Sequence, residues 1–182
     1  MANTYELIAS NTVGAGGASS VTFSSIPATY TDLLMKISAR DSRTGISVGD
    51  IRFNFNGSGV GTNISGKYLY GTGSATSSSA VGSNGELAFG DAAGATASTF
   101  GNSEVYIPNY AGSTYKSISS DSVAENNGTE GFQLLLAGLW SNTAAINSIA
   151  MTPFTSPFVQ YSTFTSTASR THKENHDNSN RS

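Results

Sequence analysis

Apolar and polar residues alternate through much of the chain, and the alternation marks strands rather than helices. It is cleanest over Ile51-Arg52-Phe53-Asn54-Phe55-Asn56, which sets Ile51, Phe53 and Phe55 on one face and Arg52, Asn54 and Asn56 on the other before Gly57 turns the chain. The same period of two runs through Val21–Ile26, closed by Pro27, and through the second half of Leu33–Arg40. Thr31 and Asp32 would cap a helix starting at Leu33, but Ser38 and the glycines beyond it disfavour one, so a strand is expected there. Tyr5–Ala9 makes a short opening strand, broken by Gly14, Gly16 and Gly17, which suit turns. Glu86–Phe89, Glu104–Ile107 (stopped by Pro108) and Tyr115–Glu125 continue the series. Phe132–Trp140 is the most apolar segment and is predicted to be a central strand buried on both faces. Asn147–Phe154 and Phe158–Phe164 close the pattern. Gly71–Asn84 and Gly90–Thr99 consist almost wholly of small residues and read as exposed loops.

About ten strands separated by turn signals predict an all-β, two-sheet β-sandwich. A jelly roll is the preferred version, because long and uneven loops suit its double Greek-key wiring. No internal repeat is visible. The sandwich is expected to occupy residues 1–169 and to be followed by a polar arm, 170–182, that carries no apolar residue. Such an arm is disordered when alone and ordered where a neighbouring chain holds it. Arg170, His172, Lys173, His176, Asn178 and Arg181 are the residues expected to make that partner contact. His172 and His176, beside Glu174 and Asp177, would share a metal-binding face on a helix. The segment lacks helical character, so a solvated or partner-docked arm is read there and no metal is expected.

Composition sharpens this picture. Hydrophobic residues are 37% of the 182, aromatics 10% and charged residues 12%, with 20 glycines. Low charge with dispersed aromatics is unlike a disordered chain, and abundant Gly, Ser, Thr and Asn disfavour helix. Nine Lys and Arg against twelve Asp and Glu, with no cation cluster, argue against nucleic acid as a partner. The absence of cysteine removes disulfides, thiolate chemistry and cysteine-type zinc sites. Leu134–Trp140 is too short to span a bilayer, so no membrane partner is expected. The opening Met-Ala-Asn-Thr-Tyr-Glu has neither a basic nor an apolar leader region, so no signal peptide is expected and synthesis in the cytoplasm is.

Candidate chemistry is sparse. Both histidines lie in the arm, so the body has no Ser-His-Asp or Cys-His system. Asp41, Asp50, Glu86, Asp91 and Glu104 are raw material for carboxylate-pair hydrolysis, but acids so scattered read as turn and edge residues. No enzymatic activity and no cofactor are expected. Arg40-Asp41-Ser42-Arg43 with Asp50 and Arg52 is the densest charge cluster of the body. It reads as an exposed turn with self-compensating charges, or as an inter-subunit ion-pair patch. The glycine runs at Gly14–Gly17 and Gly57–Gly61 have neither a following helix nor a lysine and are turns, not phosphate loops. Sequons at Asn56, Asn63 and Asn127 are explained by chance in so Asn/Ser/Thr-rich a chain. Tyr68, Tyr70, Tyr106, Tyr110 and Tyr115 sit at strand ends beside small-residue loops. There they would stack on sugar rings, bury in a subunit interface or pack into the core.

The run Tyr5-Glu6-Leu7-Ile8-Ala9-Ser10-Asn11-Thr12-Val13-Gly14, followed by Ser20–Pro27 and Thr29-Tyr30-Thr31-Asp32-Leu33, resembles small virion structural proteins of tailed bacteriophages, many from marine and cyanobacterial phages. Ile51–Asn56 and Phe158-Val159-Gln160-Tyr161-Ser162 extend the resemblance over most of the body. It implies a β-sandwich virion component, often trimeric and without enzymatic activity. The polar arm after Arg170 departs from that pattern, since such chains tend to stop soon after the last strand. On these grounds the leading expectation is a capsid decoration (cement) protein. It would be a homo-oligomer bound to the major capsid protein or another virion protein, and located in the virion. The alternative is a tail-fibre or receptor-binding module that recognises host surface glycan through the Gly71–Asn84 and Asp91–Asn102 loops and the nearby tyrosines.

Overall fold

The structure, a computed structural model, describes residues 5–81, 84–125, 127 and 131–169. The expected contact residues of the arm, Arg170, His172, Lys173, His176, Asn178 and Arg181, lie outside the described residues. Twelve strands and no helix are present among the described residues: β1 (Glu6–Thr12), β2 (Val21–Phe23), β3 (Asp32–Ala39), β4 (Val48–Phe55), β5 (Ile64–Gly71), β6 (Thr76–Val81), β7 (Glu86–Asp91), β8 (Gly101–Ile107), β9 (Lys116–Glu125), β10 (Gly131–Trp140), β11 (Ile149–Pro153) and β12 (Thr163–Ser169). They form two antiparallel sheets. One has eight strands in the order β1-β12-β3-β8-β9-β10-β5-β6, and the other four, β2-β11-β4-β7. The all-β sandwich expected from the alternation is what the chain forms.

The period of two explains the core. In β3, Leu33, Met35, Ile37 and Ala39 turn inward, and in β4 Gly49, Ile51, Phe53 and Phe55 do the same from the facing sheet. Phe53, Phe55 and Trp140 form a chain of tilted rings with centroids 6.0 and 5.2 Å apart, and Phe158 packs on Phe164 at 4.9 Å. Each such fully buried ring contributes about 2–3 kcal/mol by leaving water. Lys116 is buried beside Trp140, and its ammonium donates to the carbonyls of Gly112, Thr114 and Ala144, each at 2.7 Å. This carbonyl cage ties the 109–115 turn to the 141–146 segment. Burial pushes the lysine pKa below its ordinary value.

Three elements differ from expectation, each for a physical reason. Thr76–Val81, expected within a loop, is an edge strand paired with β5 from Gly66↔Val81 to Gly71↔Thr76. Five of its six residues are exposed, so it needs main-chain hydrogen bonds but no apolar face. The last strand is Thr163–Ser169 rather than Phe158–Phe164. Phe158 instead makes isolated bridges to Ala18 and Asp41, and Tyr161 has a positive φ of 73° that breaks the extended run. In β10, Leu134 and Leu136 are buried but Leu135 is 55% exposed, so the strand is covered on one face only.

Where the sheets meet, glycines let backbones touch. A Cβ on Gly101 of β8 would lie 2.7 Å from Gly90 Cα of β7, and one on Gly90 would lie 2.6 Å from the Ala39 carbonyl. This pinch brings the free edge of the small sheet down onto the large one.

Candidate functional site

The four-stranded sheet ends at β7, which packs over β8 and β9. The inner face of the larger sheet continues past that edge onto β10, β5 and β6. There it forms one wall of a cleft of about 300 Å³ whose opposite wall is Val48, Asp50 and Phe89. Alternation along Tyr68-Leu69-Tyr70 sends both tyrosines to the inner face, opposite Leu136 and Leu134 of β10. Phe132, opposite Ala124 of β9, joins them. Four rings then line the cleft in sequence: Phe89 to Tyr68 at 5.8 Å, Tyr68 to Tyr70 at 6.0 Å and Tyr70 to Phe132 at 6.0 Å. Their planes are tilted by 32–60°, so they make a curved trough rather than a slot.

Two buried serines fix the corner of this site. Ser103 Oγ donates to the Phe89 carbonyl at 2.6 Å, while the Phe89 N–H reaches the hydroxyls of Ser103 and Ser122 at 3.2 Å each. The edge groups of β7 are thereby satisfied by side chains of the other sheet, as buried backbone groups must be. Asp50, cross-strand partner of Phe89, stands at the rim. Arg43 grips Asp50 Oδ2 through Nη1 at 3.3 Å and Nη2 at 3.2 Å, and also donates to the Val48 carbonyl. Among the described residues, Asp50 Oδ1 and the Tyr68 and Tyr70 hydroxyls make no hydrogen bond, and all three residues line the cleft.

No known protein family, curated protein or solved structure matches this chain.

The charge cluster near Arg40 is not an exposed turn. Arg40 and Asp41 are buried, as is Asp91, whose strand end meets Arg40 in an isolated bridge. The Arg40 guanidinium donates to the carbonyls of Ala95, Thr96 and Thr99 at 2.9–3.0 Å and so staples the 92–100 loop. Asp41 receives the Arg43 N–H on Oδ1, while its Oδ2 has no hydrogen bond and faces the Arg43 guanidinium at 3.9 Å; neither oxygen of Asp91 has a hydrogen bond. Burial pushes both carboxyls above the ordinary 3.8; the Arg43 N–H and then its charge pull Asp41 the other way, and the Thr99 side chain and then the Arg40 charge pull Asp91. Only Arg43 and Asp50 behave as a partly exposed ion pair, and Arg52 stacks on Phe154 at 3.9 Å.

The remaining sequence candidates are dispersed. Tyr110 is fully buried, with its hydroxyl on the Pro27 carbonyl, and Tyr106 donates to Asp32 at 3.0 Å. Tyr115 is exposed and apart from the cleft, so only Tyr68 and Tyr70 come together. Glu104 pairs with Lys36 at 3.0 Å on the outer face of the large sheet, away from Asp50. Asn56 is structural, its amide donating to the Ala145 carbonyl while its oxygen accepts from Asn147 and Ser148. The sequence reading missed Phe89, Phe132 and Asp50 as companions of the tyrosines. The alternation of Tyr68-Leu69-Tyr70 carried that signal, because it puts two tyrosines on one face and a leucine on the other.

That leucine belongs to a second feature. On the outer face Leu69 lies directly opposite Leu135, and both are more than half exposed. Ala80, Ala137, Leu34 and Tyr106 extend the apolar stripe along a shallow groove of about 850 Å³, bordered by Lys67, Glu104 and Asp121.

Proposed function

We propose that this chain is a non-enzymatic structural protein of a tailed-phage virion, a decoration protein that assembles as a homo-oligomer on the head shell. The observation that carries the reading is the outer face of the eight-stranded sheet, where the exposed Leu69–Leu135 pair sits among charges of both signs. Lys36 and Lys67 stand with Glu104 and Asp121 around the stripe, so charges of both signs border it. Burying an apolar stripe with a polar rim is how homo-oligomers gain affinity, and repetition over identical shell sites multiplies it. The sequence resemblance supports the virion assignment, a trimer and the major capsid protein or another virion protein as the partner.

In this reading the sandwich is a jelly-roll-like double wrap. The β3–β4 pair is flanked across both sheets by β12–β11 on one side and β8–β7 on the other. The test is the number of copies per purified particle, measured by quantitative mass spectrometry against the major shell protein. A ratio near one-to-one is expected. A handful of copies would move the protein to the tail, and none at all would remove the virion assignment.

A further inference from the structure

The cleft at the edge of the small sheet plays no part in the assembly reading, and its chemistry is that of a ligand site. We propose that it binds a neutral pyranose ring of a glycan. A pyranose presents an apolar C–H face bounded by hydroxyls, and the cleft offers the counterpart of each. Tyr68, Tyr70 and Phe132 form the trough for the apolar face, and the two tyrosine hydroxyls with Asp50 Oδ1 supply donors and an acceptor at its rim.

Three further observations narrow the occupant. At about 300 Å³ the cleft is at the small end of sites for organic ligands, which run from roughly 300 to 1,000 Å³. Among the described residues Asp50 is the one charged residue lining it, and Arg43 is already spent on Oδ2 of that carboxylate, so they offer a sialic or uronic acid no cation to pair with. The tilted rings do not leave the parallel gap that a flat nucleobase would fill. The wall is also built to hold its shape. Phe89 is clamped through its backbone by Ser103 and Ser122, and Asp50 is oriented by Arg43, so little ordering is left to the moment of binding. This inference is independent of the virion reading, since the cleft faces away from the Leu69–Leu135 stripe.

The test uses the full chain. Labelled protein is screened on an array of neutral and acidic glycans, and the best neutral hit is followed by isothermal titration and by amide chemical-shift mapping. Binding to neutral pyranosides is expected, with shifts centred on residues 68–70, 89 and 132. Tyr70→Ala should weaken it by about tenfold. Asp50→Asn and Tyr70→Phe should each weaken it several-fold; Tyr70→Phe keeps shape and packing and should not lower the melting temperature, so it keeps the test valid if Tyr70→Ala fails to fold. An array blank for all neutral glycans would overturn the proposal, as would binding undiminished in Asp50→Asn and Tyr70→Phe, or a preference for acidic glycans. Shifts centred on Leu69 and Leu135 would overturn it equally.

Discussion

Asp91 shows how far a residue can depart from what its type suggests. Acids next to glycines are ordinarily turn residues, and Asp91 follows Gly90. The backbone pinch at Gly90 nevertheless buries its carboxylate with no hydrogen-bond partner on either oxygen. The stability consequence follows from linkage. Well below pH 3.8 the group is neutral in folded and unfolded chains alike and carries no penalty. As pH rises past 3.8 the unfolded chain ionises first, because burial holds the folded carboxyl above that value, so stability falls until the folded group ionises too. Asp91→Asn does not titrate. Its melting temperature relative to the parent protein should therefore climb as pH is raised from 4 to 7. Equal differences at every pH would show that Asp91 is ionised without cost. Arg40 is the opposite case, a buried cation whose charge is met by three loop carbonyls. Arg40→Leu should cost roughly 3 kcal/mol in urea denaturation by leaving them unpaired. Neither residue's burial was legible in the sequence, because the carbonyls that accept from Arg40 come from a loop more than fifty positions away and alternation says nothing about such partners.

At the scale of elements the sequence was legible where one face is apolar and the other polar. The inward residues of β3, β4 and β8 can be read directly from the period of two. It was silent for β6, whose side chains have almost nothing to bury, and misleading for β10, where apolar residues on both faces suggested cover on both. The tyrosines of β5 could be placed on one face, but not which of the five candidate tyrosines would gather. That depended on where the small sheet stops. Its stopping edge rests on the glycine contact between β7 and β8, and this gives a sharp test. A methyl group at Gly101 would sit within 3 Å of backbone atoms of Gly90 and Asp91, none of which can rotate away. Gly101→Ala should therefore cost about 1–3 kcal/mol, read as a lower urea midpoint, through overpacking between the sheets. It should also displace Phe89, the residue that closes the cleft. A midpoint within error of the parent would mean that the two sheets separate easily there.

For the whole molecule, the inequality of the two sheets is the feature with most consequence. Eight strands cannot be covered by four, so the inner face overhangs on the β10-β5-β6 side and becomes a cleft, while among the described residues nothing covers the outer face. A monomer would leave Leu69 and Leu135 in water beside each other on neighbouring strands. Isolated exposed leucines are common, but a paired stripe continuous with Leu34, Ala80 and Ala137 marks a contact surface. If copies of the chain meet there, the parent protein should sediment as an oligomer at micromolar concentration. Leu135→Glu should return it to the 18.8 kDa monomer, because the new carboxylate would be buried without a partner in the contact. The same substitution should cost the monomer's own stability no more than about 1 kcal/mol, since the side chain is more than half exposed and the new charge meets only the exposed Asp121 opposite it on β9. Loss of the oligomer together with a little-changed unfolding midpoint separates an interface residue from a folding residue. A parent protein that is monomeric at high concentration, or a Leu135→Glu variant that still assembles, would show that the stripe is not where copies meet, and the bordering charges of Lys36, Lys67, Glu104 and Asp121 would then have to serve a different partner.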